Sequence, residues 1–349
     1  MLTVETHLIF MLLTILLSAL LLTNALEHLG HRLGISAGVI GSLFAAVATA
    51  LPETTIPVIA LLTGTADIAT RQDVSVGAIL GAPFMLSTLS IALMALFALS
   101  KRGFQGRITP EHTGFVRDLD FFLLAFLISA IAMYLPHQPF YFRGTLSIFL
   151  VVWYGIYLFK TVRASKKLVH EGHGVLPEGP LVLARLVGTL RFAHPTNAND
   201  HYRYATTMIG IQLALSVLLL LWGARGFVQN IETIANYYHL SVLMLSLLII
   251  PIATELPEKI NSILWITKRK DTLAFGNLTG ALVFQGTLLP ALGVLLTPWE
   301  ATPAVIPGIA LSWLAALWLR LNASTQGVRI IALFVNGLLY VLYCIYSWW

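Results

Sequence analysis

The feature that most constrains this chain is a series of apolar stretches, each about as long as a membrane is thick. A helix that crosses a bilayer needs about 20 mostly apolar residues, and we count ten such stretches in the 349 residues. Only 11% of the residues are charged, whereas a soluble domain has about 25%. We therefore predict an all-α, multi-pass membrane protein. The predicted spans are 7–28, 37–63, 74–99, 119–135, 145–164, 205–227, 240–267, 273–297, 303–320 and 328–347.

One long polar segment, 166–204, interrupts this series after five spans. We accordingly expect a first half over 1–165, a linker over 166–204 and a second half over 205–349. The first apolar run lacks a basic leader and is too long for a signal peptide, so we interpret it as an uncleaved span. Cys344 is the only cysteine, which excludes an intrachain disulfide bond.

The distribution of basic residues predicts the orientation. If the N-terminus is outside, 17 of the 21 lysines and arginines fall in inner loops and the linker, and three in outer loops. Cytoplasmic loops carry such an excess, so we predict both termini outside and a cytoplasmic linker, in the inner membrane of a prokaryotic cell. The net charge of +5 then reflects orientation, not a nucleic-acid partner. The expected partners are metal cations and the lipid bilayer, with no obligate protein partner.

A hexapeptide occurs twice, as "ATALPE" at 48–53 and "ATELPE" at 253–258. Because five spans lie in each half, the second and seventh spans cross the membrane in opposite directions. Transporters use such inverted repeats to build one site at the bilayer midplane. The predicted repeats cover about 37–99 and 240–297. "GAILGA" at 77–82 and "GNLTGA" at 276–281 extend the match, although small residues at this spacing by themselves indicate close helix packing.

Each hexapeptide contains a proline, which removes a backbone N–H and clashes with the carbonyl four residues earlier. Pro52 is expected to free the carbonyl of Ala48, and Pro257 that of Ala253. In lipid a freed carbonyl needs a partner from protein, water or an ion. We therefore predict broken helices that carry the Pro-Glu steps at the midplane.

The hexapeptides also supply oxygen ligands. Glu53 and Glu258 follow the prolines, and Thr49 and Thr254 lie four residues before them, on the same helical face. An all-oxygen set of this kind suits hard cations such as Ca²⁺ or Na⁺. Ionisable residues inside a span are functional by default, so these four residues and the freed carbonyls form the candidate metal site.

These paired motifs resemble the alpha repeats of the sodium/calcium exchanger family, in the cation/calcium exchanger superfamily. The family pattern is roughly G-T-S-x-P-E, followed one span later by G-N-x-x-G-S-N. The resemblance implies ten spans in two inverted halves and exchange of Ca²⁺ against Na⁺ by alternating access. It also implies that Glu53 and Glu258 are the principal cation ligands, flanked by Thr49 and Thr254.

The chain departs from this pattern at several positions. The serine after the threonine is Ala50 in the first copy and Glu255 in the second. The asparagine of the second motif survives only as Asn277, and its last polar residue is Leu86 in the first half and Gln285 in the second. Both of its serines are alanines, so side chains that would line Na⁺ sites are missing. Asn277, Gln285 and Glu255 remain candidate ligands, all in the second half.

Glu255 and Lys259 allow three interpretations. They lie four residues apart, so they can form an ion pair that neutralises Glu255. Alternatively, Glu255 takes up and releases protons, which would make H⁺ the counter-ion. In the third interpretation, the fixed ammonium of Lys259 stands where a relative binds Na⁺.

The leading hypothesis is a secondary antiporter that moves Ca²⁺, or a similar divalent cation, against Na⁺. The alternative is an H⁺-coupled divalent cation antiporter that uses Glu53, Glu255 and Glu258. A channel built on the same cage, an intramembrane enzyme and a scaffold are more distant alternatives. No span contains an aspartate pair, G-x-S-x-G or H-E-x-x-H, so we expect neither an enzyme nor a cofactor. The linker's His170, Glu171, His173, His194 and His201 match no standard metal motif and are expected to be solvated.

Overall fold

A computed structural model describes residues 2–32, 46–63, 68–136, 141–169, 180–188, 201–238 and 241–348. Nearly all of these residues are helical, as the apolar composition predicts. The helices are α1 (Leu2–Arg32), α2 (Ala46–Thr63), α3 (Ile68–Met85), α4 (Ile91–Arg102), α5 (His112–Ala132), α6 (Tyr141–Val169), α7 (Val182–Gly188), α8 (His201–Tyr238), α9 (Val242–Thr254), α10 (Leu256–Thr267), α11 (Asp271–Leu296), α12 (Ile306–Asn322) and α13 (Ile330–Trp348). A π-helical turn, Leu86–Ser90, joins α3 to α4.

Every predicted span overlaps one of these helices. Six helical stretches are long and apolar enough to cross a membrane: Val4–Leu22, Ile68–Arg102, Tyr141–Ala164, Thr206–Tyr238, Asp271–Leu296 and Ile330–Ser347. Three shorter apolar helices, Glu53–Leu62, Val242–Ile252 and Ile306–Asn322, lie between them. The helical, membrane-type architecture is thus confirmed, whereas the number of ten crossings stays a prediction.

The two hexapeptides differ in backbone structure. In the second copy, α9 ends at Thr254 and α10 begins at Leu256, and Glu255 stands between them with φ −92° and ψ 4°. Pro257 lies in the first turn of α10, where a missing N–H costs nothing. In the first copy, α2 continues through Pro52 from Ala46 to Thr63. Within the described residues, the broken helix that we predicted for each copy is therefore present only in the second.

At one end of the molecule, loops of the two halves are tied together. Arg102 binds Asp271 with both arms of its guanidinium, at 2.7 Å from Nη1 to Oδ2 and 2.6 Å from Nη2 to Oδ1. The backbone N–H of Thr109 also donates to Asp271, at 2.8 Å. Beside them, strand β1 (Arg107–Ile108) pairs antiparallel with β2 (Val328–Arg329). All three loops are predicted to lie on the inner side.

The opposite end joins loops that are predicted to be outside. Arg143, just before the predicted fifth span, donates from Nη2 to the carbonyl of Pro298 at 2.6 Å. Tyr238, at the end of α8, donates to the Glu5 carboxylate at 2.8 Å. The grouping of loops therefore agrees with the predicted alternation of sides, although it does not say which side is outside.

Glycines bring the first repeat close to the broken helix. A Cβ added at Gly77 would lie 2.6 Å from the carbonyl oxygen of Leu243, and one at Gly81 would overlap that of Leu247. Such contacts allow backbones to approach closely. The α3 helix therefore packs directly on α9 and holds the two repeats together.

Candidate functional site

Glu53 is the contribution of the first half to the candidate site. It projects from α2 and is 1% exposed. Neither of its carboxylate oxygens accepts a hydrogen bond from any residue that the structure describes. The charged groups within its electrostatic reach are Glu258, Glu255 and Lys259. All three come from the second half, so the charged residues of the two hexapeptides lie close together.

The second half contributes two carboxylates around the helix break. Glu255 stands at the break and is fully buried, and Glu258, which is 1% exposed, lies in the first turn of α10. The N-terminal end of a helix carries a partial positive charge that stabilises a carboxylate. Because the break starts a new helix, Glu258 lies at a helix N-terminus, within electrostatic reach of Glu53.

Lys259 lies against the same break. Its Nζ is 3.1 Å from Oε2 of Glu255 and donates to the carbonyl oxygen of Pro251 at 3.2 Å. The contact with Glu255 is an ion pair without hydrogen-bond geometry, since both oxygens of Glu255 lack a donor among the described residues. The first of the three interpretations, a Glu255–Lys259 ion pair, is thus present in the structure.

Three further candidate residues surround the break. The Thr254 hydroxyl donates to the carbonyl of Ile250 at 3.2 Å, so its oxygen retains lone pairs for a cation. Asn277 on α11 donates to the carbonyl of Glu258 at 3.3 Å and to the Ser262 hydroxyl at 3.0 Å. Asn277 therefore supports the glutamate's backbone through its amide nitrogen. The contacts described here do not identify it as a direct ligand.

Gln285 lies beside Glu255 and is 1% exposed. Its Oε1 accepts no hydrogen bond from the described part of the chain. A buried amide oxygen without a donor is costly unless another group satisfies it. Gln285 is therefore brought into the site, as its position in the second motif predicts.

The remaining predicted site residues either have side chains that the structure does not describe or lie outside the described residues. The backbones of Ala48 and Thr49 belong to α2 and that of Ala253 to α9, but their side chains are not described, so their roles stay predictions. The same holds for the linker positions His170, Glu171, His173 and His194, and for the side chain of His201. Among the residues that are described, no three His, Cys, Asp or Glu side chains are arranged to hold a metal ion.

The three glutamates are therefore neighbours without forming a ready-made ligand set. Like charges in a buried site repel one another, so separated carboxylates are the expected arrangement. Tyr340 on α13, within electrostatic reach of Glu255, was not found by sequence reasoning. It lies outside both repeats, and no motif marks it. Ser262, the partner of Asn277, could have been found, because it lies four residues after Glu258 on one helical face.

Comparison with known proteins identifies the family of this chain. The sequence profile of the sodium/calcium exchanger protein family matches residues 6–162 and 209–349, which is most of the chain apart from the linker. Inner membrane protein YrbG of Escherichia coli K12 is 26% identical over 304 residues, covering 87% of this chain and 83% of the relative. The putative antiporter CaxA of Alkalimonas amylolytica is 25% identical over 277 residues, covering 78% of this chain and 74% of CaxA.

Solved structures share the fold. The crystal structure of the H⁺/Ca²⁺ exchanger CAX superposes with a TM-score of 0.74 at 15% identity, over 98% of this chain and 82% of CAX. The sodium–calcium exchanger NCX_Mj superposes with a TM-score of 0.59 at 17% identity, over 99% of this chain and 98% of NCX_Mj. The family match excludes the distant alternative of an intramembrane enzyme. The chain belongs to the sodium/calcium exchanger protein family and is a transmembrane cation antiporter.

Proposed function

We propose that this antiporter moves Ca²⁺, or a similar divalent cation, against Na⁺ by alternating access, with Glu53 and Glu258 as the principal ligands. The observation that carries the proposal is Glu53: it is buried, accepts no hydrogen bond from the described residues and faces glutamates of the opposite half. A buried carboxylate left without donors costs several kcal/mol or more. A cation between the halves would compensate that cost.

The chemistry around Glu53 suits a hard cation. Carboxylate oxygens of Glu53, Glu255 and Glu258, the Thr254 hydroxyl and the Gln285 oxygen are all hard ligands. Ca²⁺ takes six to eight oxygen ligands in flexible geometry, whereas Mg²⁺ demands a near-ideal octahedron. Because no three described carboxylates are already arranged to hold a metal ion, side-chain rotation toward the ion is part of binding. That flexibility, together with the likeness to exchangers, favours Ca²⁺ over Mg²⁺.

Packing supports α1 and α8, the long helices predicted as spans 1 and 6, as the moving element. A Cβ added at Gly223 would lie 3.1 Å from Ile15, and one at Gly226 would lie 2.6 Å from Met11, so α8 packs closely on α1. Met11 and Ile15 belong to a hydrophobic cluster outside the main core, in which α1 and α8 also pack on residues of α2, α3 and α9. We propose that this pair of helices moves as a unit and opens the site to one side at a time.

Na⁺ is the counter-ion of this proposal, and H⁺ is the alternative. The alternative rests on the three buried glutamates, which could hold protons in place of a cation. For the membrane topology we propose ten spans in two inverted halves, both termini outside and the 166–204 linker cytoplasmic. The meeting of the Arg102–Asp271 and β1–β2 loops at one end supports the alternation of sides. The excess of basic residues in the same loops supports the orientation.

The test is Ca²⁺ flux in proteoliposomes that contain the purified protein, driven by a Na⁺ gradient in one set and a pH gradient in another. We expect flux with the Na⁺ gradient and its loss in Glu53→Gln. Glu300→Gln, a change at an exposed glutamate between α11 and α12, is the matched control and should transport like the wild type. Flux with the pH gradient alone would establish the H⁺-coupled alternative. No Ca²⁺ flux with either gradient would overturn the proposed substrate.

A further inference from the structure

Lys259 places an ammonium group inside the candidate site. Its side chain is 7% exposed, and that of its partner Glu255 is fully buried. A charged side chain within the bilayer is costly, and such residues face a bundle interior or mark an ion pathway. The first repeat has Thr54 at the equivalent position, so this charge is present in one half only.

The ammonium occupies a place that is suited to a small cation. The carbonyl of Pro251, at the C-terminal end of α9, accepts from the Glu255 N–H at 3.1 Å and from Lys259 Nζ at 3.2 Å. The last carbonyls of a helix carry a partial negative charge that attracts cations. In transporters with broken helices, such ends coordinate Na⁺ or H⁺. At this helix end, the Lys259 ammonium thus provides the positive charge that a bound Na⁺ or H⁺ provides in such transporters.

The charges of the site can be counted from the groups that face one another. Glu53 is within electrostatic reach of Glu258, Glu255 and Lys259, and Glu255 is within reach of Lys259 and Glu258. Among the residues that the structure describes, three ionised carboxylates and one ammonium give this site a net charge of two negative. One divalent cation neutralises this charge, and so do two monovalent cations. A larger imbalance in a buried site is costly.

We propose that Lys259 is a tethered monovalent cation that fixes the exchange at two monovalent cations for each divalent cation. The inference rests on the proposed function and adds its stoichiometry. It makes transport electroneutral, since equal charge moves in each direction. If Lys259 only neutralised Glu255 to stabilise the fold, removing it would alter stability without changing the number of cations bound.

The first measurement is the coupling ratio of the wild type. In proteoliposomes with a fixed Ca²⁺ gradient, the Na⁺ gradient is varied until net Ca²⁺ flux stops, while K⁺ and valinomycin set the membrane potential. A ratio of two predicts that a Na⁺ gradient of about tenfold balances a Ca²⁺ gradient of about a hundredfold, at every potential. If the pH gradient drives flux, the same measurement is made with H⁺. A ratio other than two, or a balance point that moves with potential, would overturn the inference.

Variants then test the role of Lys259 itself. Lys259→Gln leaves three negative charges, so a free cation has to replace the ammonium. We expect low Na⁺ on the same side as Ca²⁺ to activate Ca²⁺ flux in this variant. In the wild type the same Na⁺ only inhibits, by competition. If Lys259→Gln transports Ca²⁺ and Na⁺ only inhibits it, the tethered-cation role is wrong.

The Glu255→Gln/Lys259→Gln double variant keeps the net charge at two negative and serves as the second variant if the single change prevents folding. We expect it to keep a coupling ratio of two. Na⁺ on the same side as Ca²⁺ should only inhibit its Ca²⁺ flux, whether that flux is fast or slow. A different ratio in the double variant would contradict the charge count. Absence of Ca²⁺ flux in the wild type would overturn the proposed function together with this inference, whereas flux at another ratio would overturn the inference alone.

Discussion

The two repeats carry nearly the same hexapeptide but are built differently. In the first, α2 continues through Pro52 and presents a single carboxylate, Glu53. In the second, the chain breaks at Glu255, and three charged residues, Glu255, Glu258 and Lys259, surround the break. The first repeat therefore contributes one charged side chain to the candidate site, and the second contributes three.

Close backbone packing at the glycines, unlike the charge, is found mainly in the first repeat. Gly77 and Gly81 of the first repeat contact the backbone of α9. In the second repeat, no described residue lies within 4 Å of a Cβ added at Gly276, and the nearest to one at Gly280 is the Tyr157 hydroxyl, at 3.6 Å. The same glycine motif therefore mediates close helix packing in the first repeat and not in the second. The repeated motifs place matching residues in both halves, while close packing and charge are divided between them.

The sharpest test of this comparison is the pair Glu53→Gln and Glu258→Gln. If the halves share one site, each change should lower Ca²⁺ flux by about 100-fold or more, because removing one member of a buried charged set costs about 3–5 kcal/mol. Flux in proteoliposomes measures the effect, with Glu300→Gln as control. Retention of flux in only one of the two variants would show that a single repeat binds the ion.

The glycines provide the next largest effect. Gly81→Ala forces a methyl group against the Leu247 carbonyl, and overpacking of this kind costs about 1–3 kcal/mol. Thermal unfolding in detergent should show a lower midpoint for this variant. Gly276→Ala is the matched change in the second repeat and should unfold near the wild-type midpoint. Equal destabilisation of both variants would refute the division of packing between the repeats.

Asn277 tests the support given to Glu258. Its amide donates to the Glu258 carbonyl, whereas Ala78 takes its place in the first repeat. Loss of one hydrogen bond costs about 1 kcal/mol, so Asn277→Ala should raise the KM for Ca²⁺ about fivefold and change the maximal rate less. Ser262→Ala removes the other partner of Asn277 and leaves Glu258 supported. An equal KM in both variants would argue against the role of Asn277.

The smallest effect concerns the starts of α5 and α12, the fourth predicted span of each half. Glu111 caps α5 by accepting from the N–H groups of Thr113 and Gly114, whereas Val305 gives α12 no side-chain cap. Burial acts to raise the pKa of Glu111, but these hydrogen bonds outweigh it and hold the pKa below its ordinary value of 4.5. Glu111→Ala should therefore lower the free energy of unfolding by about 1 kcal/mol.

Because the folded pKa is depressed, this stabilisation is fully present above the ordinary value and disappears as the pH falls through the folded value. Thermal unfolding of the wild type and Glu111→Ala should therefore differ at pH 7 and converge in acid. A difference that persists in acid would show that the cap does not depend on the carboxylate.

The sequence predicted those features that depend on length, order and repetition. Apolar runs of the right length marked the helices, and the duplicated Pro-Glu step marked Glu53 and Glu258 as partners. Features that depend on which side chains meet were not predictable. A proline removes one backbone hydrogen bond from a helix. The packing around the proline decides whether the helix continues, as at Pro52, or breaks, as at Glu255. Tyr340 comes within reach of Glu255 only because α13 packs beside α3, where its ring stacks on Phe84.

The contacts between Arg102 and Asp271, and between β1 and β2, bear on how the protein is made. Asp271 follows Arg102 by 169 residues, and Gly327 follows its partner Arg107 by 220. At about 5–20 residues per second of synthesis, the later partner emerges roughly 10–45 s after the earlier one. During that interval both arginines are free to hold their loop on the predicted inner side by charge. The same side chains would thus direct insertion first and lock the finished halves together afterwards.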